Sequence, residues 1–206
     1  MTEQEIKDLV TRQRSYFQSG ATLPVSARLA ALRRLYISSH EREIRRALQK
    51  DLGKSGFESY MCETGMVLEE ISYMLKHTPK FAREQRVHTP LAQFCSRSYK
   101  KPSPYGVTLI MSPWNYPFML TLSPLAGALA AGNTAVVKPS AYSPYTSEVL
   151  LSILTECFDP KYVAVVTGGR AENTCLLREH FDYIFFTGSQ AGGKEVMRSA
   201  AEHLTP

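Results

Sequence analysis

Apolar side chains recur at helical spacing through the first eighty residues of the chain. A helix buries one face when apolar residues repeat about every 3.6 positions, and this period is present here. The repeat is interrupted between Gly20 and Pro24 and again at Gly53, a residue type that commonly ends helices. The pattern predicts helices, the last of which weakens near Pro79. Their apolar positions are Ile6, Leu9, Val10 and Phe17, then Leu29, Leu32, Leu35, Tyr36, Ile44, Ala47, Leu48 and Leu52, then Tyr60, Met61, Thr64, Val67, Leu68, Ile71 and Leu75.

The second half of the chain alternates short β-branched or apolar runs with helical ones. This alternation is typical of a parallel sheet with helices on both faces. We therefore predict an α/β fold with a Rossmann-like doubly wound sheet over 106–206. Because the chain stops after a helix, where a further strand is due, we expect this sheet to be incomplete on its C-terminal side. The predicted strands are 107–111, 134–137, 163–166 and 183–186, and the predicted helices are 120–131, 147–158, 172–180 and 192–203.

The segment 87–105 shows neither pattern. It mixes polar and aromatic residues and contains Pro90, Pro102 and Pro104, which is typical of an extended arm or hairpin. We expect such an arm to contact a partner subunit. The predicted organisation is thus a helical part over 1–86, an arm over 87–105 and the sheet domain over 106–206.

Composition narrows the class of protein. The 206 residues are 44% hydrophobic and 21% charged, which suits a globular chain and excludes collagen-like, mucin-like and disordered classes. No charged residue lies between Lys101 and Lys138, yet Pro113, Pro117 and Pro124 interrupt that run. We interpret it as buried α/β core, because a membrane helix needs about 20 apolar residues in one helical register.

The net charge of +5 arises partly from an arginine-rich early stretch. Its arginines alternate with Glu41 and Glu43, so we predict a solvated helix face and no nucleic-acid site. Four cysteines form no CxxC pair, and the N-terminus is polar, which together favour a reducing, cytoplasmic location without bound metal. The arginines are Arg28, Arg33, Arg34, Arg42, Arg45 and Arg46.

A glycine-rich turn follows the last predicted strand. Gly188 and Gly193 flank Ser189, and small residues at this place let a backbone approach a pyrophosphate closely. Ser189 is a good helix N-cap, and the helix dipole favours an anion there. The turn is not a Walker loop, because Glu195 occupies the position of the Mg²⁺-binding hydroxyl. An ordinary capped turn is the alternative interpretation.

Two further candidates come directly after predicted strands. Lys138 and Ser140 follow the second strand, at the sheet edge where ligands bind, and a lysine there reaches a ribose hydroxyl or a phosphate. The alternative is a lysine in solvent. Asn115 follows the first strand between Pro113 and Pro117, which fix the backbone as an oxyanion-donating amide requires. A plain turn residue is the alternative there.

Together these segments resemble the aldehyde dehydrogenase family. The segments 112–117 (SPWNYP), 131–140 (AGNTAVVKPS) and 186–189 (FTGS) have the order and spacing found in that family. The chain looks like the N-terminal half of a class 3 type member, the branch that oxidises fatty and aromatic aldehydes. The similarity extends over essentially all 206 residues.

The resemblance implies a role for each candidate. Asn115 matches the oxyanion amide of the family. The family reaction is attack by a cysteine thiolate on the aldehyde, hydride transfer to NAD or NADP, and thioester hydrolysis aided by a glutamate base. The arm implies a homodimer in the full-length form. The residues that match cofactor contacts are Ser112, Pro113, Trp114, Lys138, Ser140, Gly188, Ser189 and Gly193.

The chain departs from the family pattern at two points. Ala141 occupies the position after Lys-Pro-Ser where the family often has a glutamate that binds a ribose hydroxyl. We therefore expect NADP⁺ to be tolerated about as well as NAD⁺. The family's nucleophile and base are expected beyond Pro206, together with any C-terminal membrane anchor, so we expect the 206 residues alone to be inactive. The alternative hypothesis is a non-catalytic chain that binds NAD(P) or pairs unproductively with a full-length subunit.

Overall fold

A computed structural model describes residues 1–35 and 40–206 of the chain. Tyr36, predicted to extend the second apolar stripe, lies outside the described residues. The N-terminal part is helical, as the apolar spacing predicts. Its elements are α1 (Glu3–Gln18), α2 (Val25–Arg34), α3 (Glu41–Leu52), α4 (Gly56–Ser59), a π-helical turn (Tyr60–Thr64) and α5 (Gly65–Phe81).

Local sequence explains where these helices begin and end. Thr2 and Glu5 form a capping box at the start of α1, each side chain accepting a backbone N–H bond from the other residue. Helix α3 ends at Gly53, whose φ of +69° is the left-handed conformation that glycine adopts without strain.

The π-helical turn changes which residues of the third stripe are buried. The Gly65 N–H donates to the carbonyl of Tyr60, five residues back, so the turn contains one residue more than an α-helical turn. Tyr60 and Met61, predicted to face the core, are 48% and 54% exposed, and Glu63 is buried instead. The prediction was wrong here because it assumed an unbroken 3.6-residue period.

One arginine of the early stretch is also placed differently from the prediction. Arg28 is 8% exposed, and its Nε donates to the carbonyl of Leu23 at 3.1 Å. It is therefore part of the helical packing and not of a solvated face. The other arginines of that stretch are exposed, as predicted.

A hairpin forms where an extended arm or hairpin is predicted. Strands β1 (Gln85–Val87) and β2 (Ser98–Lys100) pair antiparallel and are joined through a short 3₁₀ helix at Leu91–Gln93. Leu91 and Phe94, near the tip, are 87% and 83% exposed. The hairpin thus projects apolar side chains outward.

The sheet confirms the predicted Rossmann-like α/β class. Its strand order is β5-β4-β3-β6, and all neighbours are parallel. Met111 pairs with both Lys138 and Phe186, so the carboxyl ends of three strands meet at one edge. The elements are β3 (Val107–Met111), α6 (Met119–Ala131), β4 (Thr134–Lys138), α7 (Pro144–Cys157), β5 (Val163–Val165), α8 (Arg170–Arg178), β6 (Tyr183–Phe186) and α9 (Gln190–Ala201).

Each face of the sheet has its own core. Side chains alternate along a strand, so Leu109 and Ile110 belong to different clusters although both are buried. The cluster of Ile110 includes side chains from α2, α3, α5, α6 and α7, and the cluster of Leu109 includes side chains from α1, α8 and α9. Both faces are covered, which is the arrangement that a parallel sheet requires.

The outer edge of β6 is less fully paired than its inner edge. Its inner side joins β3, and on the outer side the Ile184 N–H donates to the carbonyl of Pro206 at 3.0 Å. Thr205 adds a side-chain bond to the Phe181 carbonyl.

Over residues 1–35 and 40–206, no helix has the length and apolar character to cross a bilayer.

Candidate functional site

A cavity of about 620 Å³ lies at the carboxyl edge of the sheet. Its walls come from the segments that follow β3, β4, β5 and β6. Ligands of doubly wound folds bind at this edge. The predicted site residues that line it are Ser112, Pro113, Trp114, Asn115, Lys138, Ser140, Gly188 and Ser189.

The loop after β3 is fixed by short hydrogen bonds. Thr121 donates its hydroxyl proton to the Pro117 carbonyl, so the Ser112 hydroxyl donates to Thr121 Oγ1, at 2.6 Å. The Ser112 N–H also donates to the Lys138 carbonyl, which ties the loop to the end of β4. Trp114 and Asn115 are exposed toward the cavity on this held loop.

Lys138 is buried and not in solvent, so the solvent alternative is wrong. It is 3% exposed, and its Nζ donates to the carbonyls of Pro139 at 2.8 Å and Gly168 at 2.7 Å. Burial lowers the pKa of the Lys138 ammonium, and the nearby Glu172 carboxylate acts in the opposite direction. The lysine thus joins the end of β4 to the loop after β5 and carries its charge at the cavity wall.

The turn after β6 forms a capped helix start. The Ser189 Oγ accepts from the Gly192 N–H at 3.2 Å, as the N-cap prediction requires. A Cβ atom at Gly188 would lie 2.6 Å from the Phe186 ring, so this position has no room for a side chain. Gly193 donates its N–H to the Ser189 carbonyl and does not line the cavity, whereas Gly192 does.

The segment after β5 also lines the cavity, although none of its residues was predicted. Gly168, Gly169, Arg170 and Asn173 line the cavity, and Arg170 begins α8. The Glu172 carboxylate accepts the Gly169 N–H at 2.7 Å, and backbone hydrogen bonds lower the pKa of its carboxyl. The Gly-Gly pair one residue after a predicted strand was the available signal, because the carboxyl end of that strand lies at the same sheet edge as Lys138.

None of the four cysteines, all of which lie in the described residues, lines the cavity. Cys95 is exposed, and Cys62, Cys157 and Cys175 are half-buried. Cys157 donates to the Arg34 carbonyl, and burial raises the pKa of its thiol. The cavity therefore offers amide, ammonium and hydroxyl groups for binding and no thiol of the described chain.

The cavity combines positive charge, backbone donors and an aromatic surface. Lys138 and Arg170 supply the positive charge, and Glu195 also lines the cavity. The start of α9 supplies N–H groups, and Trp114 supplies the ring. The strand order and the position of this cavity are those of a Rossmann-like α/β fold, a class in which ligands bind at this edge of the sheet. Comparison with known proteins then gives the family. The chain belongs to the aldehyde dehydrogenase family, whose profile matches residues 1–206.

Similar sequences and structures agree with this assignment. Aldehyde dehydrogenase family 3 member A2 of Mus musculus is 44% identical over 96% of this chain, and 41% of that protein is covered. The dimeric NADP-preferring aldehyde dehydrogenase of Canis lupus familiaris is 43% identical over 98% of this chain and 45% of its own length. The chain therefore spans less than half of these relatives.

Solved structures share the fold closely. The substrate-bound Staphylococcus aureus AldH superposes with a TM-score of 0.95 at 40% identity, covering 98% of this chain and 44% of that one. The NAD⁺ complex of an aldehyde dehydrogenase from Bacillus cereus gives a TM-score of 0.87 at 26% identity, with 99% and 42% covered. This chain corresponds to part of each.

Proposed function

We propose that the chain forms the NAD(P)-binding part of an aldehyde dehydrogenase that oxidises aldehydes to carboxylic acids in the cytoplasm. One observation carries the proposal: segments far apart in sequence, after β3, β4 and β6, meet at one cavity, and each contributes residues of a family motif. The names of the relatives, one of them NADP-preferring and one solved with NAD⁺, support the cofactor class.

The cavity fits a dinucleotide. The capped start of α9 presents backbone N–H groups to a pyrophosphate, and the absence of a side chain at Gly188 permits a close approach. Lys138 provides a cation for a ribose hydroxyl or phosphate, held in place by its two carbonyl partners. Ser112, Pro113 and Trp114 form the wall after β3, and Ser140 the wall after β4. A bound nicotinamide would accept hydride from the adduct that the aldehyde forms with the family's nucleophile.

Asn115 is the proposed catalytic residue of this chain. Asn115 lines the cavity beside Trp114, and an amide N–H₂ is a suitable donor to the oxyanion that develops when an aldehyde carbonyl is attacked. Such a donor acts best when it is already oriented, because no reorganisation is then needed during the reaction.

The hairpin is the proposed dimer contact. Leu91 and Phe94 are among the most exposed large apolar side chains of the described residues, and one relative is named dimeric. Apolar side chains at the tip of a projecting hairpin suit a protein interface. A molecular mass in solution near twice that of the monomer, measured at equilibrium, would support this contact.

Cofactor binding is measurable through Trp114, the single tryptophan of the chain. We expect NADH to quench the Trp114 emission saturably, because the bound cofactor would lie in the cavity that Trp114 lines. Energy transfer from Trp114 should at the same time increase the emission of NADH. NAD⁺ should reverse the signal by competition, and Trp114→Phe should abolish it. A folded chain whose Trp114 emission is unaffected by saturating NADH would contradict the proposal.

Ala141 lines the cavity and predicts tolerance of a 2′-phosphate. We expect NAD⁺ and NADP⁺ to compete with NADH at similar concentrations. Ala141→Glu should weaken NADP⁺ relative to NAD⁺ by about tenfold or more, because a carboxylate repels the added phosphate. Ala141→Gln is the matched neutral control. Binding of NAD⁺ alone by the unaltered chain would refute this prediction.

Intact mass of the endogenous protein separates the enzyme from the non-catalytic alternative. A mass well above 23.1 kDa, with aldehyde-dependent reduction of NAD(P)⁺, would support a dehydrogenase that contains this chain. A mass of 23.1 kDa without that activity would favour the alternative, in which the chain binds cofactor or pairs with a full-length subunit.

A further inference from the structure

A buried ion pair lies behind the loop that carries Asn115. The Lys54 ammonium and the Glu63 carboxylate form a direct hydrogen bond, and their side chains are 7% and 0% exposed. Neither residue lines the cavity or matches one of the motifs of the sequence analysis. Their burial therefore needs an explanation apart from cofactor contact.

Both members of the pair also contact the loop. Lys54 Nζ donates to the Asn115 carbonyl at 3.0 Å and lies 4.0 Å from the centroid of the Tyr116 ring. Glu63 Oε2 accepts the N–H groups of Phe118 at 3.0 Å and Met119 at 2.9 Å, at the start of α6. The pair thus holds the loop at the oxyanion residue and again where the loop enters its helix.

The local fold brings the two residues together. Lys54 follows the glycine stop of α3, and Glu63 lies in the π-helical turn with its side chain buried. Turns of this kind occur often at functional sites. Burial raises the pKa of the Glu63 carboxyl, whereas the bonds from Lys54, Met119 and Phe118 lower it. A buried ion pair is weak evidence for a stabilising role, because the desolvation of the two charges offsets their attraction.

We propose that Lys54 and Glu63 act as positioning residues, a clamp that fixes the Asn115 backbone so that its amide is oriented toward the reacting carbonyl. The oxyanion role of Asn115 rests on the proposed function. The clamp itself rests on the contacts of Lys54 Nζ and Glu63 Oε2 alone.

The test uses amide motion at Asn115. The chain contains three asparagines, Asn115, Asn133 and Asn173. Selective ¹⁵N-asparagine labelling therefore gives a simple NMR spectrum, and substituting each asparagine in turn assigns its signals. The Lys54→Met/Glu63→Gln double variant removes both charges, so no unpaired charge is left buried, and the introduced amide oxygen still accepts from the start of α6. We expect the backbone order parameter of Asn115 to fall from about 0.85 to below about 0.6, with the side-chain amide following.

Two controls separate positioning from general loosening. Asn133, whose Oδ1 accepts the Gly106 N–H at 3.0 Å, should keep its order in the double variant. Asp51→Asn removes a carboxylate that caps α7 in the same way, and should leave Asn115 ordered. Equal mobility of Asn115 before and after the double substitution, or equal loosening of all three asparagines, would overturn the clamp. If the chain does not bind NADH, the proposed function fails and with it the oxyanion role of Asn115. The effect of the double variant on the order of Asn115 would still stand.

Discussion

Gly106→Ala is expected to lower the free energy of unfolding by about 3–5 kcal/mol. A Cβ atom at position 106 would lie 2.2 Å from Asp182 Oδ2, and the φ of Gly106 is +143°, which L side chains rarely adopt. Backbone strain of this kind costs about 1–3 kcal/mol. The rest of the effect comes from the displacement of Asp182.

Asp182 connects three parts of the fold at this point. Its carboxylate accepts the N–H of Val107 at 2.7 Å and two bonds from Arg14 Nη1 at 3.0 and 3.1 Å. Val107 is fully buried, so its N–H would have no solvent to replace the carboxylate. An unsatisfied buried donor costs about 1–3 kcal/mol, and the link from α1 to the start of β3 would be lost as well.

Gly127→Ala is the matched control for this measurement. A Cβ atom at Gly127 meets nothing within 4 Å, and the residue lies within α6. Alanine is about 1 kcal/mol more favourable than glycine inside a helix, so this variant should be more stable. Urea unfolding with linear extrapolation measures both changes. A Gly106→Ala variant as stable as the unaltered chain would show that Asp182 does not hold β3.

The predictable part of the fold is the part with a repeating pattern. The run Val107–Met111 is apolar apart from one threonine, which identifies a strand covered on both faces. The capped turn at Ser189 was predictable because an N-cap depends only on residues close to it in sequence. The common edge of the strand ends followed from the predicted parallel topology. Parallel strands align their carboxyl ends, so motifs placed after strands had to meet at one edge.

The unpredicted part depends on long-range contacts or on a break in the period. Glu63, which the predicted apolar stripe does not include, lies in the π-helical turn and is fully buried. Arg28 and Lys138 are charged residues, which are mostly exposed in proteins, and only the carbonyls of Leu23 and Gly168 show why these two are buried. The spacing of residues along the sequence does not show which carbonyls these two side chains bind.

Lys138→Met is expected to weaken NADH binding by about 10- to 100-fold. The substitution keeps an unbranched apolar chain of similar length and removes the ammonium. A hydrogen bond to a charged group contributes about 1.5–3 kcal/mol, and about 1.4 kcal/mol corresponds to tenfold in Kd. Lys161→Met is the control, because Lys161 is half-exposed and pairs with Asp159 before β5, at the other end of the sheet. Energy transfer from Trp114 gives both dissociation constants.

The pH dependence of the same variant tests whether the charge of Lys138 is responsible. Burial lowers the pKa of Lys138 below its ordinary value of 10.5, while Glu172 opposes the shift. As the pH rises through that lowered pKa, the folded chain loses the proton before the unfolded chain does, so the free energy of unfolding rises while affinity for the anionic cofactor falls. Subtracting the Lys138→Met profile removes the contribution of the groups that both chains share. An unchanged Kd in folded Lys138→Met would assign the lysine to joining β4 and the loop after β5 alone.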